Sequence, residues 1–149
     1  MENDAAKLAN LPQFVDESTD ASGRLVKRYT VLTFGGFEVY GPADVTLAHA
    51  AAYEFSVSAA AQDHEHIEVR RLGDLIRIEW DDGFFGFRDP AQPLTFRFEG
   101  PAINEIRIAE DVTAQVDTVD VDWLRIFVDK QSNLVLSNLM TKSLKVKLG

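Results

Sequence analysis

Three short stretches decide the fold of this chain: Ile106-Arg107-Ile108, Leu124-Arg125-Ile126 and Leu144-Lys145-Val146. Each reads apolar, basic, apolar, and they follow one another at nearly regular intervals along the second half of the chain. Further strand-like pieces rich in Val and Leu lie between them. A period of about 20 residues with two short strands per period is typical of a β-solenoid. The sequence therefore predicts an all-β fold, a short right-handed β-solenoid or β-helix-like stack preceded by alternating strands.

The repeated stretches also predict which side chains lie above one another in neighbouring strands. The basic residue of each stretch is expected to face solvent, and the apolar residues are expected to face the interior. Because like charges on adjacent strands repel, a carboxylate such as Glu105, Asp122 or Asp129 is expected near the basic column. The expected columns are Arg107, Arg125 and Lys145 on the outside, and Ile106, Leu124 and Leu144 on the inside.

Changes in composition along the chain predict one folded domain behind a short leader. Residues 1–23 contain the polar run Asp16-Glu17-Ser18-Thr19-Asp20 and show little sustained periodicity, and we interpret them as a flexible leader. Residues 24–149 are rich in β-branched and aromatic residues and are interrupted by turn signals, so they form the single β-solenoid-like domain. The clearest strand of its middle part is the alternating stretch from Leu75 to Trp80.

Bulk composition excludes several functional classes. The chain has 149 residues, a formal net charge of −9 and no cysteine. The negative charge argues against nucleic acid and anionic membrane surfaces as partners, because both need a basic face. Without cysteine there are no disulfides, thiolate metal sites or cysteine nucleophiles. No apolar run is long enough for a membrane span, and the acidic N-terminus lacks the pattern of a signal peptide.

A series of strand patterns from Phe37 to Gly149 resembles a known family. It includes Gly41-Pro42-Ala43-Asp44-Val45-Thr46-Leu47, the alternating stretch from Tyr53 to Ala59, and Gly73-Asp74-Leu75-Ile76-Arg77-Ile78. These patterns are similar to the auto-transporter adhesin head domain, called the GIN domain. The resemblance implies a β-helix-like fold and an exported protein of the bacterial periplasm or cell surface. It carries over no catalytic residue and no cofactor, and where the family has Gly-Ser-Gly corners this chain has Ala109-Glu110-Asp111.

The stretch Asp63-His64-Glu65-His66 is the one metal-like cluster of the sequence. His64 and His66 would share a face of an extended chain, and imidazole nitrogens bind zinc, nickel and copper. A closed site needs further ligands, which no fixed spacing supplies. We therefore interpret the stretch as a solvated turn between two strands and predict no metal, with His64 and His66 as weak candidates.

The stretch from Glu79 to Asp89 combines aromatic rings, acids and glycines. Aromatic faces beside carboxylates can hold sugar rings, and exposed aromatic residues can anchor a protein partner. The alternative is that the same rings cover one open end of the stack, since most aromatic residues belong to a core. The predicted ligand or partner surface, called the aromatic segment below, comprises Trp80, Asp82, Phe84, Phe85 and Phe87.

No catalytic motif is present, and adjacent acids such as Asp81-Asp82 do not place two carboxylates across a substrate. The sequence therefore predicts a non-enzymatic, exported module of the bacterial envelope that binds a glycan or an envelope protein. A purely structural or oligomerisation scaffold is the alternative, and a small hydrolase using His64 and His66 is a third class. The strand edge at Leu144–Leu148 predicts a homo-oligomer, although Lys142, Lys145 and Lys147 are typical of edge protection.

Overall fold

Alternation of apolar and polar residues with a period of two produces the strands of this protein. The computed structural model describes residues 11–81 and 89–149. Within these ranges there is one short 3₁₀ helix, η1, and every other regular element is a strand. The elements are β1 (Gln13–Thr19), β2 (Leu25–Thr30), β3 (Gly36–Tyr40), β4 (Ala43–His49), β5 (Glu54–Ala59), η1 (Ala61–His66), β6 (Ile67–Leu72), β7 (Leu75–Trp80), β8 (Thr95–Gly100), β9 (Glu105–Ala109), β10 (Val112–Asp120), β11 (Trp123–Val128), β12 (Asn133–Met140) and β13 (Ser143–Leu148).

The strands form two mixed sheets. The first sheet has the order β1-β2-β5-β8-β4-β10-β12, and the second has the order β13-β11-β9-β3-β7-β6. From β9 onward the chain alternates between the sheets, and each strand pairs in parallel with the next strand of its own sheet. The antiparallel pairs all involve the earlier elements. The predicted all-β class is confirmed.

The register of the parallel strands keeps the same offset in both sheets. Ala114 lies opposite Leu134 in the first sheet, and Leu124 lies opposite Leu144 in the second. Arg125 and Lys145 therefore stand side by side, as the sequence predicts.

The predicted columns are wrong at β9. Ile106 lies opposite Ile126, not Leu124, and Arg107 lies opposite Phe127, not Arg125. Registers that differ by two residues keep the same side chains inward, so the alternation of the sequence does not distinguish them. The hydrogen bonds between β9 and β11 select the pairing with Ile126. Glu105 does relieve the basic column, with its carboxylate 3.6 Å from the Arg107 guanidinium.

Apolar side chains from both sheets meet in one core. Its aromatic centre is formed by Phe37 and Phe98, whose rings stack with centroids 4.2 Å apart. Each fully buried ring stabilises the fold by about 1.5–3 kcal/mol relative to its exposed state. The inward side of β13 is the exception, with Leu144 48% and Val146 50% exposed. Since β13 is the terminal strand of its sheet, it has a pairing partner on one side only.

The hairpin β1–β2 forms one end of the first sheet. Strand β1 lies inside the range that the sequence analysis assigns to the leader, and all seven of its residues are exposed. Its pairing with β2 is supported by the edge-to-face contact of Phe14 with Tyr29 and by an ion pair between Asp16 and Arg28 at 2.8 Å. Periodicity within residues 13–19 does not indicate this strand, because neither face of it is buried.

No helix in the described ranges has the length and apolarity needed to cross a bilayer.

Candidate binding surfaces

One corner between the two sheets carries Trp80, the first residue of the aromatic segment. At this corner the strands of the second sheet end and the chain passes into the first sheet. The passages from β3 to β4 and from β9 to β10 need two residues each, 41–42 and 110–111, whereas the passage from β7 to β8 takes residues 81–94. Of the predicted binding residues, Trp80 is described, while Asp82, Phe84, Phe85 and Phe87 lie outside the described residues.

Trp80 is held in place by η1 and β6. It ends β7 and lies opposite Ile67 in the antiparallel pair of β7 with β6. Its half-buried indole ring contacts the His66 imidazole, with centroids 5.5 Å apart. The amide of Asp81 donates a hydrogen bond of 2.7 Å to the carbonyl of His66. The first ring of the aromatic segment therefore lies on a strand that is paired on both sides.

A surface depression of about 480 Å³ lies at the same corner. Its lining includes Asp89, which lies two residues after Phe87, the last residue of the aromatic segment. Three exposed carboxylates face it, those of Asp44, Asp89 and Asp111, together with Thr113. Carboxylate and hydroxyl oxygens accept hydrogen bonds from hydroxyl-rich or cationic ligands. Depressions of this size accommodate a small organic group.

The neighbouring turn is built by side chains instead of glycine. Glu110 and Asp111 adopt the left-handed conformation, with φ of 62° and 66°. The amide of Glu110 donates to Asp129 Oδ2 at 3.0 Å, and the amide of Val112 donates to Ser132 Oγ at 3.1 Å. The hydrogen bond from the Glu110 amide lowers the pKa of the Asp129 carboxyl. These bonds from the next passage satisfy the turn, so the corner forms without the Gly-Ser-Gly of the resembling family.

In the stretch 63–66, which the sequence marks as metal-like, Asp63 and His64 form hydrogen bonds with the backbone of other segments. Asp63 is fully buried, and its Oδ2 accepts a hydrogen bond of 2.7 Å from the Ala91 amide. His64 Nε2 donates to the Leu25 carbonyl at 2.7 Å, and burial lowers the pKa of its imidazole. No group of three or more potential ligands arranged for a metal ion occurs in residues 11–81 and 89–149.

The interpretation of this stretch as a solvated turn is corrected at Asp63. The stretch forms η1, and in a 3₁₀ helix residues two positions apart do not share a face. His64 is directed to β2, whereas His66 is directed to Trp80. Sequence reasoning missed the role of Asp63 because its partner, Ala91, lies 28 residues away.

A second surface lies on the outer face of the second sheet. Alternate residues of β9, β11 and β13 point outward there and form a groove of about 330 Å³, called the basic groove below. The repeated apolar-basic-apolar stretches predict the outward direction of three of its cations. They do not single out Phe127, because its ring gains cationic neighbours only through the register of three strands. The residues lining it are Glu105, Arg107, Arg125, Ile126, Phe127, Lys145 and Lys147.

Comparisons with known proteins establish a shared fold. No protein-family model and no curated protein matches the chain. A crystal structure of a "putative adhesin" from Bacteroides fragilis is 13% identical in sequence. The match covers 84% of this chain and 58% of that protein, with a TM-score of 0.75. A "putative adhesin" from Parabacteroides distasonis is 12% identical, covers 85% of this chain and 53% of its own, with a TM-score of 0.73.

A third similar structure carries a different description. It is a "putative lipid binding protein" from Parabacteroides distasonis, 11% identical, with a TM-score of 0.56 over 83% of this chain and 59% of its own. This chain therefore spans between about half and three fifths of the length of these three proteins. At such identities the likeness is one of fold, an all-β architecture shared with proteins named as adhesins or lipid-binding proteins.

Proposed function

We propose that this chain is a non-enzymatic binding or adhesion module of the bacterial envelope, exported to the periplasm or cell surface. The observation that carries the proposal is the fold shared over 84% of the chain with a protein named as an adhesin. The chain offers no catalytic motif, and the carboxylates at the corner line a shallow depression on the surface. Binding without chemistry fits this arrangement best.

We further propose that this chain is a GIN domain. The patterns that resemble the GIN domain coincide with elements of the fold: the first falls on β4, the second on β5 and the third on β7. The parallel pairs β10–β12 and β11–β13, which share one register offset, support the further proposal that these strands are rungs of a short right-handed solenoid.

The proposed ligand surface is the aromatic segment, residues Trp80, Asp82, Phe84, Phe85 and Phe87. Two features of the described residues support it. Trp80, the first residue of the segment, ends a strand that is paired on both sides, and Asp89, two residues after Phe87, lines the depression with its carboxylate. Aromatic faces beside hydrogen-bond acceptors suit a glycan, and they also suit the aromatic anchors of a protein partner.

The test is a binding screen against defined glycans and purified envelope proteins. The wild type is compared with a Phe84→Ser, Phe85→Ser, Phe87→Ser variant whose fold is checked by circular dichroism. A matched control, Leu32→Ser, Val135→Ser, Met140→Ser, removes three exposed apolar side chains that lie outside the aromatic segment and outside β13. We expect the first variant to lose binding and the control to keep it.

Two outcomes would contradict this surface. Unfolding of the first variant would make the rings a structural cap, and equal binding by both variants would place the ligand elsewhere. Absence of binding by the wild type would favour a scaffold. Export is tested separately, by fractionation of cells that produce the natural protein. Recovery in the cytoplasmic fraction would contradict an envelope location.

An oligomerisation scaffold remains the second proposed function because one observation favours it. Strand β13 is a terminal strand whose apolar residues are unusually exposed, with Leu148 at 78%. An unpaired strand edge with exposed apolar side chains can pair with a second copy of the chain.

A further inference from the structure

The basic groove concentrates positive charge on an acidic protein. Its lining contains four cations, from Arg107, Arg125, Lys145 and Lys147, and one carboxylate, from Glu105. The local net charge is therefore +3, and the remainder of the chain carries −12. In the described residues Glu105 pairs with Arg107 at 3.6 Å, and no carboxylate pairs with the other three cations.

The register of three strands places the cations of the groove around the Phe127 side chain. Arg107, Phe127 and Lys147 form one row across β9, β11 and β13. Arg125 and Lys145 occupy the next row, beside Glu105. Adjacent strands lie about 4.8 Å apart, so each row presents its groups at regular intervals along a line.

Aromatic contacts hold two of these cations in position. The Arg125 guanidinium lies 5.2 Å from the centre of the Trp123 ring, and Lys147 Nζ lies 6.0 Å from the centre of the Phe127 ring. A cation over a ring face is attracted by the partial negative charge of that face. The half-buried Phe127 ring also keeps part of its surface open to the groove.

Edge protection explains only part of this arrangement. Lysines on a terminal strand discourage pairing with other chains, and Lys145 and Lys147 belong to such a strand. Arg125 and Arg107, however, lie one and two strands inside the sheet, where no edge needs protection. Their alignment with the lysines costs electrostatic repulsion, which a bound anionic group would offset.

The charge distribution selects the kind of anion. A nucleic acid duplex or a membrane surface presents charge over a wide area and would meet the acidic remainder of the chain. A single polysaccharide chain is narrow enough to contact the groove alone. Its sugar rings can pack an apolar face on Phe127 while its anionic groups reach the cations.

We propose that the basic groove is a binding site for an anionic polysaccharide, with Arg125, Lys145 and Lys147 contacting its carboxylate or sulfate groups and Phe127 packing against a sugar ring. The groove lies on the outer face of the second sheet, and none of its lining residues belongs to the aromatic segment. The inference rests on the proposed binding function and deepens it by naming a ligand class.

The experiment measures binding of the full chain to polygalacturonate, which carries only carboxylates, and to dextran sulfate, which carries only sulfates, by titration calorimetry at low and high salt. Dextran is the neutral control, and polyglutamate is the anionic polymer without sugar. We expect both anionic polysaccharides to bind at low salt and to weaken as salt screens the charges. The two polymers distinguish carboxylate from sulfate as the preferred group.

Two variants and a matched control locate the site. The Arg125→Gln, Lys145→Gln, Lys147→Gln variant should lose about tenfold or more in affinity, because it removes three of the four positive charges that line the groove. The control, Arg28→Gln, Arg97→Gln, Lys130→Gln, removes equal charge elsewhere and should bind like the wild type. Phe127→Leu should weaken polysaccharide binding while retaining the charges. Circular dichroism checks each fold.

Three results would overturn the proposal. They are no binding of either polysaccharide by the wild type, equal losses in the groove variant and its control, and polyglutamate binding as tight as that of the polysaccharides. The last would mean attraction of any anionic polymer. If polysaccharide binding by the groove is contradicted while the Phe84→Ser, Phe85→Ser, Phe87→Ser variant still loses its ligand, the proposed function stands and only this inference is wrong.

Discussion

Left-handed turns at Glu110 and Asp111 show how single side chains replace glycine in this fold. Each such residue costs about 1–3 kcal/mol of backbone strain and persists where surrounding contacts determine it. Asp129 and Ser132 supply those contacts by accepting hydrogen bonds from the amides of Glu110 and Val112. Because the donors and acceptors come from successive passages between the sheets, a change at one passage disturbs the turn before it.

We expect Asp129→Asn to destabilise the protein at neutral pH by about 1 kcal/mol, since it weakens hydrogen bonds that a carboxylate accepts. The folded-state pKa of Asp129 lies below its ordinary value of 3.8. Its contribution is therefore complete above that value and is lost as the pH falls through the lower folded-state pKa. Urea unfolding at pH 7, 4 and 3 measures this, and the variant should show a shallower acid dependence than the wild type.

The control for Asp129 is Asp117→Asn, which removes an exposed carboxylate from β10. That variant should keep the acid dependence of the wild type. Equal pH dependence of the wild type and Asp129→Asn would contradict the role of the turn hydrogen bonds.

His64 predicts a second pH effect, at higher pH. Burial lowers its pKa below the ordinary value of 6.5, because the charged form is poorly solvated beside β2. The folded state therefore binds its proton less readily than the unfolded state. The free energy of unfolding should not depend on His64 above pH 6.5. It should decline as the pH falls from 6.5 through the lower folded-state pKa, because the unfolded state binds the proton first. In His64→Gln, whose amide can still donate to the Leu25 carbonyl, this decline should be absent.

The same His64 experiment tests the metal hypothesis. Thermal unfolding is followed with and without added zinc, because a ligand of the native state raises the midpoint. We expect no zinc effect on the wild type. A midpoint that rises with zinc in the wild type but not in His64→Gln would contradict the structural role.

At the scale of elements, Gly36 determines how closely β3 approaches β9. A Cβ built on this residue would lie 2.2 Å from the carbonyl oxygen of Glu105 and 2.8 Å from Leu75 Cδ2. The first of these atoms belongs to the backbone of a paired strand and cannot move away alone. The close packing of β3 between β9 and β7 therefore depends on a glycine at this position.

We expect Gly36→Ala to lower the free energy of unfolding by about 2 kcal/mol, the usual cost of forcing extra volume into a packed site. Denaturant unfolding checks this against Gly149→Ala, where the added Cβ would meet only the Phe127 ring, at 3.3 Å and beyond. A Gly36→Ala variant as stable as the control would show that β3 can shift without cost.

Positions of individual elements follow well from the chain's periodicity. The predicted strand from Leu75 to Trp80 is β7, with the same bounds. Strand β1 and helix η1 do not follow, because β1 buries none of its residues and Asp63 finds its partner beyond the β6–β7 hairpin. In both cases the stabilising contact is distant in sequence.

At the scale of the whole molecule, the two sheets end differently. The hairpin β1–β2 terminates the first sheet on one side with a strand in which the exposed Phe14 and Val15 precede the acidic residues Asp16 and Glu17. Strand β13 terminates the second sheet with half-exposed Leu144 and Val146. The latter end has both the unpaired backbone and the apolar surface that association of two copies requires.

We expect the purified protein to form dimers or larger oligomers through β13, with a mass that rises with concentration in light scattering. Leu144→Glu, Val146→Glu should shift it to the monomer, because two buried charges in an interface are costly. The control, Leu32→Glu, Leu72→Glu, changes exposed apolar residues elsewhere and should not alter the mass. A monomeric wild type at high concentration would contradict this prediction.

The amino-acid sequence alone is enough to predict the all-β class, the inward and outward faces of most strands, and the repeat in the second half of the chain. These properties depend on the alternation of apolar and polar residues along the chain. The folded chain is needed to show that Arg107 adjoins Phe127, that Asp63 binds the Ala91 amide, and that four cations share one groove. Strand registers that differ by two residues preserve the same inward and outward pattern, so the choice between them depends on hydrogen bonds and packing between distant residues.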